Sequence, residues 1–138
     1  MITLARGLLN AFVTQEIDDL KSILHPDVDW VVYGPIDMFP FLGAQRGRGA
    51  VLSACADLLR CMQVAAATPE RHVIAGDTAS VLLRCTLRPI RIDNAVNVRI
   101  AAFVKLKDGL IGDVRVVVDT FDLVEQSLGR EINLPIVA

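Results

Sequence analysis

Between Ala79 and Lys107 the chain adopts a period of two, and this feature constrains the fold more than any other. Ala79, Val81, Leu83, Cys85 and Leu87 alternate with Ser80, Leu82, Arg84, Thr86 and Arg88. Val96, Val98, Ile100, Ala102, Val104 and Leu106 alternate with Asn97, Arg99, Ala101, Phe103, Lys105 and Lys107. Neighbouring side chains on a strand point to opposite faces, so each run builds one apolar face and one mixed face. Gly76-Asp77, Asp93-Asn94 and Lys107-Asp108-Gly109 are turn signals at hairpin spacing. Val114–Val118 supplies a last strand, interrupted by Arg115. Such a meander needs something apolar laid over one of its faces.

The first half of the chain provides the cover. Thr3 can cap a helix whose apolar positions Leu4, Leu8, Ala11 and Phe12 recur at three- and four-residue spacing. Thr14-Gln15-Glu16 interrupts it. Ile17, Leu20, Ile23 and Leu24 mark a second short helix, closed by His25-Pro26-Asp27. Val28–Tyr33 reads as a strand ended by Gly34-Pro35. After the loop containing Phe39-Pro40-Phe41-Leu42-Gly43, a third helix carries Val51, Cys55, Leu58 and Met62 as one stripe, with Pro69 beyond its end. A strand is expected to begin at His72. Asp119-Thr120 is a helix-cap signal for a closing helix that runs to Leu128-Gly129. Helices first and antiparallel strands after them indicate the α+β class, with helices gathered on one sheet face.

With 138 residues, the chain fits one domain spanning positions 1–138. Apolar residues make up 53 % of it, an excess that must be hidden in a core, a lined cavity or a subunit interface. The formal charge of −2 is spread along the chain without a basic run, which excludes the electrostatic footprint of a nucleic-acid binder. No apolar run has membrane-spanning length, and the N-terminus lacks the features of a signal peptide. Cys55, Cys61 and Cys85 form an odd set without metal-ligand spacing. They read as buried free thiols of a cytoplasmic protein.

The order of these elements resembles the nuclear transport factor 2-like superfamily, in particular its SnoaL-like polyketide cyclase branch. The resemblance rests on Leu24-His25-Pro26-Asp27-Val28-Asp29-Trp30, Gly34-Pro35, and Gly43 through Gly47-Arg48-Gly49-Ala50-Val51. It continues in Asp108-Gly109-Leu110-Ile111, Val118-Asp119-Thr120-Phe121-Asp122 and Glu125-Gln126-Ser127-Leu128-Gly129. It implies a cystatin-like α+β cone: a curved antiparallel sheet closed by N-terminal helices around an internal pocket. It also implies a homodimer, requires no cofactor or metal, and fixes no reaction, because function lives in the residues grafted onto a fold.

Known members place their chemistry at positions that can be read here one by one. The carboxylate base of a ketosteroid isomerase-like site falls at or near Val32, and its oxyanion donors near Leu8 and near Ala101 or Ala102. In a limonene epoxide hydrolase-like site the water-activating Asp falls on Val116, with Asp119 matching a later Asp. The water-positioning Tyr and Asn of that site fall on Trp30 and Val32. Its Arg–acid pair falls on Arg84 and Thr86, or on Leu83 and Cys85, depending on the hairpin register. Neither template is satisfied, since the carboxylates are missing.

Two functions remain open. One is a binding domain for an apolar small molecule, its pocket lined by Trp30, Val32, Phe39, Phe41, Met62, Val98, Ile100 and Val116. Trp30 combines a large apolar wall with one N–H donor. The other is a polyketide cyclase- or isomerase-type enzyme acting on a hydrophobic carbonyl compound, with His72, Asp37 or Asp119 as acid or base. Arg84, Arg99 and Arg115 share parity on the outer sheet face. There they either form a solvated face with acidic partners or join Phe103, Ala101 and Val117 in the homodimer interface.

Overall fold

In the computed structural model, residues 1–36, 39–91 and 93–129 are described. Helix α1 (Ile2–Thr14) is followed by a 3-10 helix (Ile17–Ser22), strand β1 (Leu24–Tyr33), the short strand β2 (Gly43–Arg46) and helix α2 (Arg48–Cys61). Strands β3 (Met62–Ala75), β4 (Thr78–Pro89), β5 (Val96–Lys107) and β6 (Leu110–Val118) come next, and helix α3 (Thr120–Leu128) closes the described chain.

The six strands form one curved sheet in the order β2-β1-β6-β5-β4-β3. Hairpins join β3 to β4, β4 to β5 and β5 to β6, so those pairs are antiparallel, as is β1 with β2. The sheet is nevertheless mixed, because β1 runs parallel to β6, pairing Trp30 with Val114 and Val32 with Val116. The resemblance implied a curved antiparallel sheet; the other four pairings are antiparallel, and this one is parallel. It arises because the meander returns to the first strand from the far end of the chain, and no turn joins the two.

The alternating runs behave as their chemistry requires. Leu83, Cys85, Leu87, Val96, Val98 and Val104 are buried on the inner face, while Arg84, Arg88, Asn97, Arg99 and Lys105 are exposed on the outer one. Two apolar clusters fill the concave side. Ala11, Leu20, Leu24, Val28, Trp30, Val51, Cys55, Val104, Ile111 and Val114 bring α1, the 3-10 helix and α2 against β1, β5 and β6. Met62, Val64, Leu83, Cys85, Leu87, Val96, Val98, Val118 and Leu123 bring α3 against the other end of the sheet.

Several boundaries differ from the sequence-based expectation. Helix α1 is entered from Met1, and Thr3 lies inside it without capping. The second helix is a 3-10 turn ending at Ser22, so Leu24 and His25-Pro26-Asp27 belong to β1. Helix α2 stops at Cys61, and Met62 opens β3, ten residues before His72. Strand β3 tolerates Pro69 because it is an edge strand, where a missing N–H removes no ladder bond. Its pairing with β4 shifts between Pro69 and Arg71, which sets Glu70 in a bulge.

The motif residues that carry the resemblance are largely structural. Arg48 donates from Nε and Nη2 to the Leu24 carbonyl at 3.1 and 2.9 Å, tying the start of α2 to an irregular stretch of β1. His25 Nδ1 accepts the Asp27 N–H at 3.0 Å, which leaves Nε2 to donate to Asp108 in the β5–β6 turn at 3.3 Å. Gln126 on α3 clamps the backbone of Asn97, accepting its N–H and donating to its carbonyl, each at 2.8 Å.

Candidate functional site

The concave side of the sheet is not completely filled. A cavity of about 640 Å³ remains between α1, the end of α2, the 39–42 loop and the inner faces of β1, β3, β4 and β5. This volume lies in the range of small-molecule sites. Trp30 is only 6 % exposed and marks the inner end, where its ring meets Phe12 with centroids 6.3 Å apart. Phe39 and Phe41 pack against each other at 5.9 Å and form a second aromatic wall. Ile2, Arg6, Glu70, His72 and Ile74 border the cavity and are exposed, so the mouth lies between the start of α1 and the outer half of β3.

Of the residues expected to line a pocket, Trp30, Val32, Phe39, Phe41, Met62 and Ile100 stand on the cavity wall. Val98 does not: it is 2 % exposed inside the second apolar cluster, which Leu123 of α3 also joins. Val116 is half-buried and packs against both clusters without reaching the wall. Both have the expected inward parity, but the space in front of them is occupied by packed side chains. The wall also includes Leu8 and Phe12, both on the apolar stripe of α1, and Leu9, which the sequence reading did not single out. Nothing in the sequence singled out Arg6 or Glu70.

Of the three expected acid–base groups, the two that are described, His72 and Asp119, are not brought together. His72 borders the cavity mouth. Asp119 is the N-cap of α3, its Oδ1 accepting the Asp122 N–H at 3.2 Å, and it is not on the cavity wall. Asp37 lies outside the described residues. Arg84 points to the outer face, which settles the hairpin register and turns Leu83 and Cys85 inward. Burial pushes the Cys85 thiol up to about 11 and that of Cys55 up to about 12, so neither is a thiolate at neutral pH. Cys61, expected to be buried, is exposed at the end of α2.

The polar inventory of the wall is small. The Trp30 indole N–H donates to no acceptor among the described residues. It is not sealed in the core either, the described side-chain atom in that position being Ser127 Oγ. Trp30 itself stands on the cavity wall. Glu70 Oε1 accepts from Arg84 Nε at 3.0 Å and from Arg99 Nε at 3.2 Å on the outer face. Arg6, at the mouth, has no acidic partner among the described residues.

Residues 5–114 match the model of the SnoaL-like domain. The chain belongs to the SnoaL-like family. No curated protein matches it. Among solved structures, a proposed isomerase from Rhodopseudomonas palustris is 36 % identical, with a TM-score of 0.83 over 91 % of this chain and 93 % of that one. A protein of ketosteroid isomerase-like fold from Catenulispora acidiphila, in complex with trimethylamine, is 13 % identical. It superposes with a TM-score of 0.79 over 96 % of this chain and 97 % of its own. An epoxide hydrolase of M. tuberculosis, similar to limonene epoxide hydrolase, is 16 % identical with a TM-score of 0.72, covering 93 % and 89 % of the two chains. The last two likenesses establish the fold alone. Within this SnoaL-like cone, Leu8, Val32 and Ala102 do reach the cavity wall. They stand at or near the positions that resemblance assigns to ketosteroid isomerase-like chemistry, a carboxylate base at or near Val32 and oxyanion donors near Leu8 and near Ala101 or Ala102, and here these groups transfer no proton.

Proposed function

We propose that this SnoaL-like domain binds an apolar small molecule in the cone cavity, with Trp30 as its main contact. The observation that carries the reading is a cavity of about 640 Å³ whose inner wall is almost entirely aliphatic and aromatic. Leu8, Val32 and Ala102 face it where catalytic relatives need acids and bases. The indole N–H offers one hydrogen bond, so a ligand with a single inward-facing oxygen matches the wall better than a pure hydrocarbon. Trp30 is the only tryptophan of the chain, which makes its emission a direct reporter of occupancy. Titration with an apolar probe such as 1-anilinonaphthalene-8-sulfonate should quench Trp30 saturably, and Val32→Trp should abolish binding by filling the cavity. Equal binding by the filled variant would overturn the reading.

A second reading, an isomerase- or cyclase-type enzyme acting on a hydrophobic carbonyl compound, is favoured by His72 at the cavity mouth and by the 36 % identical proposed isomerase. Under it His72 is the acid–base group. Native mass spectrometry of protein purified from its own host, searching for a copurified carbonyl compound, followed by incubation of that compound with the wild type and His72→Gln, separates the two readings.

The outer sheet face supports a further proposal, a homodimer. Tyr33, Val117, Ala101 and Leu82 form one cross-strand row, and Val31, Arg115 and Phe103 belong to the next. Tyr33, Val117 and Phe103 are 52 %, 45 % and 47 % exposed, apolar groups set around Arg115, which pairs with Asp29.

A further inference from the structure

We infer that the ligand is an amphipathic carboxylic acid, its apolar body along the cavity and its carboxylate at the mouth between Arg6 and His72. The inference rests on the binding function proposed above and names the class of molecule.

It follows from how polar groups are distributed along the cavity. The deep end, around Trp30 and Phe12, is apolar, with Trp30 buried and Phe12 half-buried. The groups able to meet a charged or strongly hydrated end lie at the exposed rim: Arg6 on the first turns of α1, and His72 and Glu70 on β3, with Ser80 beside them on β4. Glu70 would be the natural counter-charge for Arg6, but it is engaged elsewhere. Its bulge carries Oε1 to the outer face, where two guanidinium groups, Arg84 and Arg99, hold it at 3.0 and 3.2 Å. The rim is thereby left with a cation that no described acid neutralises. His72 on β3, which borders the same cavity, can donate a hydrogen bond in either protonation state. A guanidinium takes a carboxylate through two parallel N–H bonds, and such charge-assisted bonds are about twice as strong as neutral ones. A neutral hydrocarbon would leave Arg6 without use, and a cationic ligand would be repelled by it. An acid with an apolar tail satisfies both ends of the cavity.

The test uses the intact chain and Trp30 emission, with dodecanoate and its methyl ester as probes. Dodecanoate should bind about tenfold more tightly than the ester, the share expected of a hydrogen-bonded charge at a partly exposed site. The double variant Arg6→Gln/His72→Gln should bind the two probes within about twofold of each other. Raising the salt concentration should weaken dodecanoate and leave the ester unaffected. Equal affinities in the wild type, or a preference that survives in the double variant, would overturn the inference while leaving apolar binding intact. Failure of both probes to perturb Trp30 would overturn the binding function as well.

Discussion

Phe12 of α1 and Trp30 of β1 stack with ring centroids 6.3 Å apart and planes inclined by 32°, so the first helix is fastened to the sheet at the inner end of the cavity. One contact thus joins the first helix to the first strand and also forms the cavity floor. Phe12 packs against both apolar clusters. Truncating it with Phe12→Ala should cost about 3 kcal/mol in urea denaturation. Trp30 emission of the folded variant should move to longer wavelength as water reaches the ring. A loss below about 1 kcal/mol would show that α1 is held mainly by other contacts.

Asp119 provides a test of capping against chemistry. Its Oδ1 accepts the Asp122 N–H, so Asp119→Ala should lower stability by about 1 kcal/mol, and Asp119→Asn, an equally good cap, should restore it. Neither change should alter probe binding. If Asp119→Asn abolished a turnover found for this protein, the aspartate would be an acid–base group after all.

The thiols should separate by burial. Cys61 should react with a disulfide reagent within minutes in the folded protein, and Cys55 and Cys85 should react only on unfolding. Their folded pKa values, about 12 and about 11, lie above the ordinary 9.0. Raised acids favour folding while both states keep the proton, so their contribution is constant below pH 9. Above it the unfolded chain ionises first, and stability should fall from pH 9 toward 12. Replacing both cysteines by alanine should flatten that decline, as followed by denaturation at stepped pH.

The β5–β6 hairpin depends on two glycines for different reasons. Asp108 and Gly109 both have positive φ, 52° and 77°, the pattern of a two-residue turn matched to strand twist. Gly109→Ala should cost about 1 kcal/mol. At Gly112 the obstacle is space: an added Cβ would lie 2.5 Å from Lys107 Cβ and 3.5 Å from the Lys107 backbone nitrogen. Gly112→Ala should therefore destabilise more than Gly109→Ala, measured side by side by thermal unfolding.

The proposed homodimer predicts twice the chain mass in light scattering at micromolar concentration. Phe103→Lys, at a 47 % exposed position, should yield a folded monomer that still binds the cavity probes. A wild-type monomer at high micromolar concentration would sink the proposal.

Much of the fold was legible because its strands have chemically different faces. The alternation through β4 and β5 assigned inner and outer residues with a one-to-one pattern, and the cap at Asp119 located α3. The first half of β3 was not legible, since Ala65-Ala66-Ala67 and Pro69 lack both β-branched residues and apolar alternation. Its strand state is imposed by pairing with β4. The parallel contact of β1 with β6 has no local signal at all, because each strand alone reads the same in either direction. At the site, parity placed Trp30, Val32 and Ile100 on the correct face and did the same for Val98 and Val116. What parity cannot encode is whether a helix or empty space lies opposite, and there α3 and the core side chains decided the matter.

The parallel pairing of β1 with β6 has a consequence for the order in which the molecule can form. Until β6 exists, β1 has as sheet neighbour only the four-residue β2, and the cluster around Trp30 lacks Ile111 and Val114. Contacts so distant along the chain close late and slow the search for the native state. A nascent chain emerging from the ribosome would therefore carry its first helices and β1 unfinished until residue 118 had been made. The cavity floor, encoded in the first thirty residues, is completed by the last of the described strands to arrive.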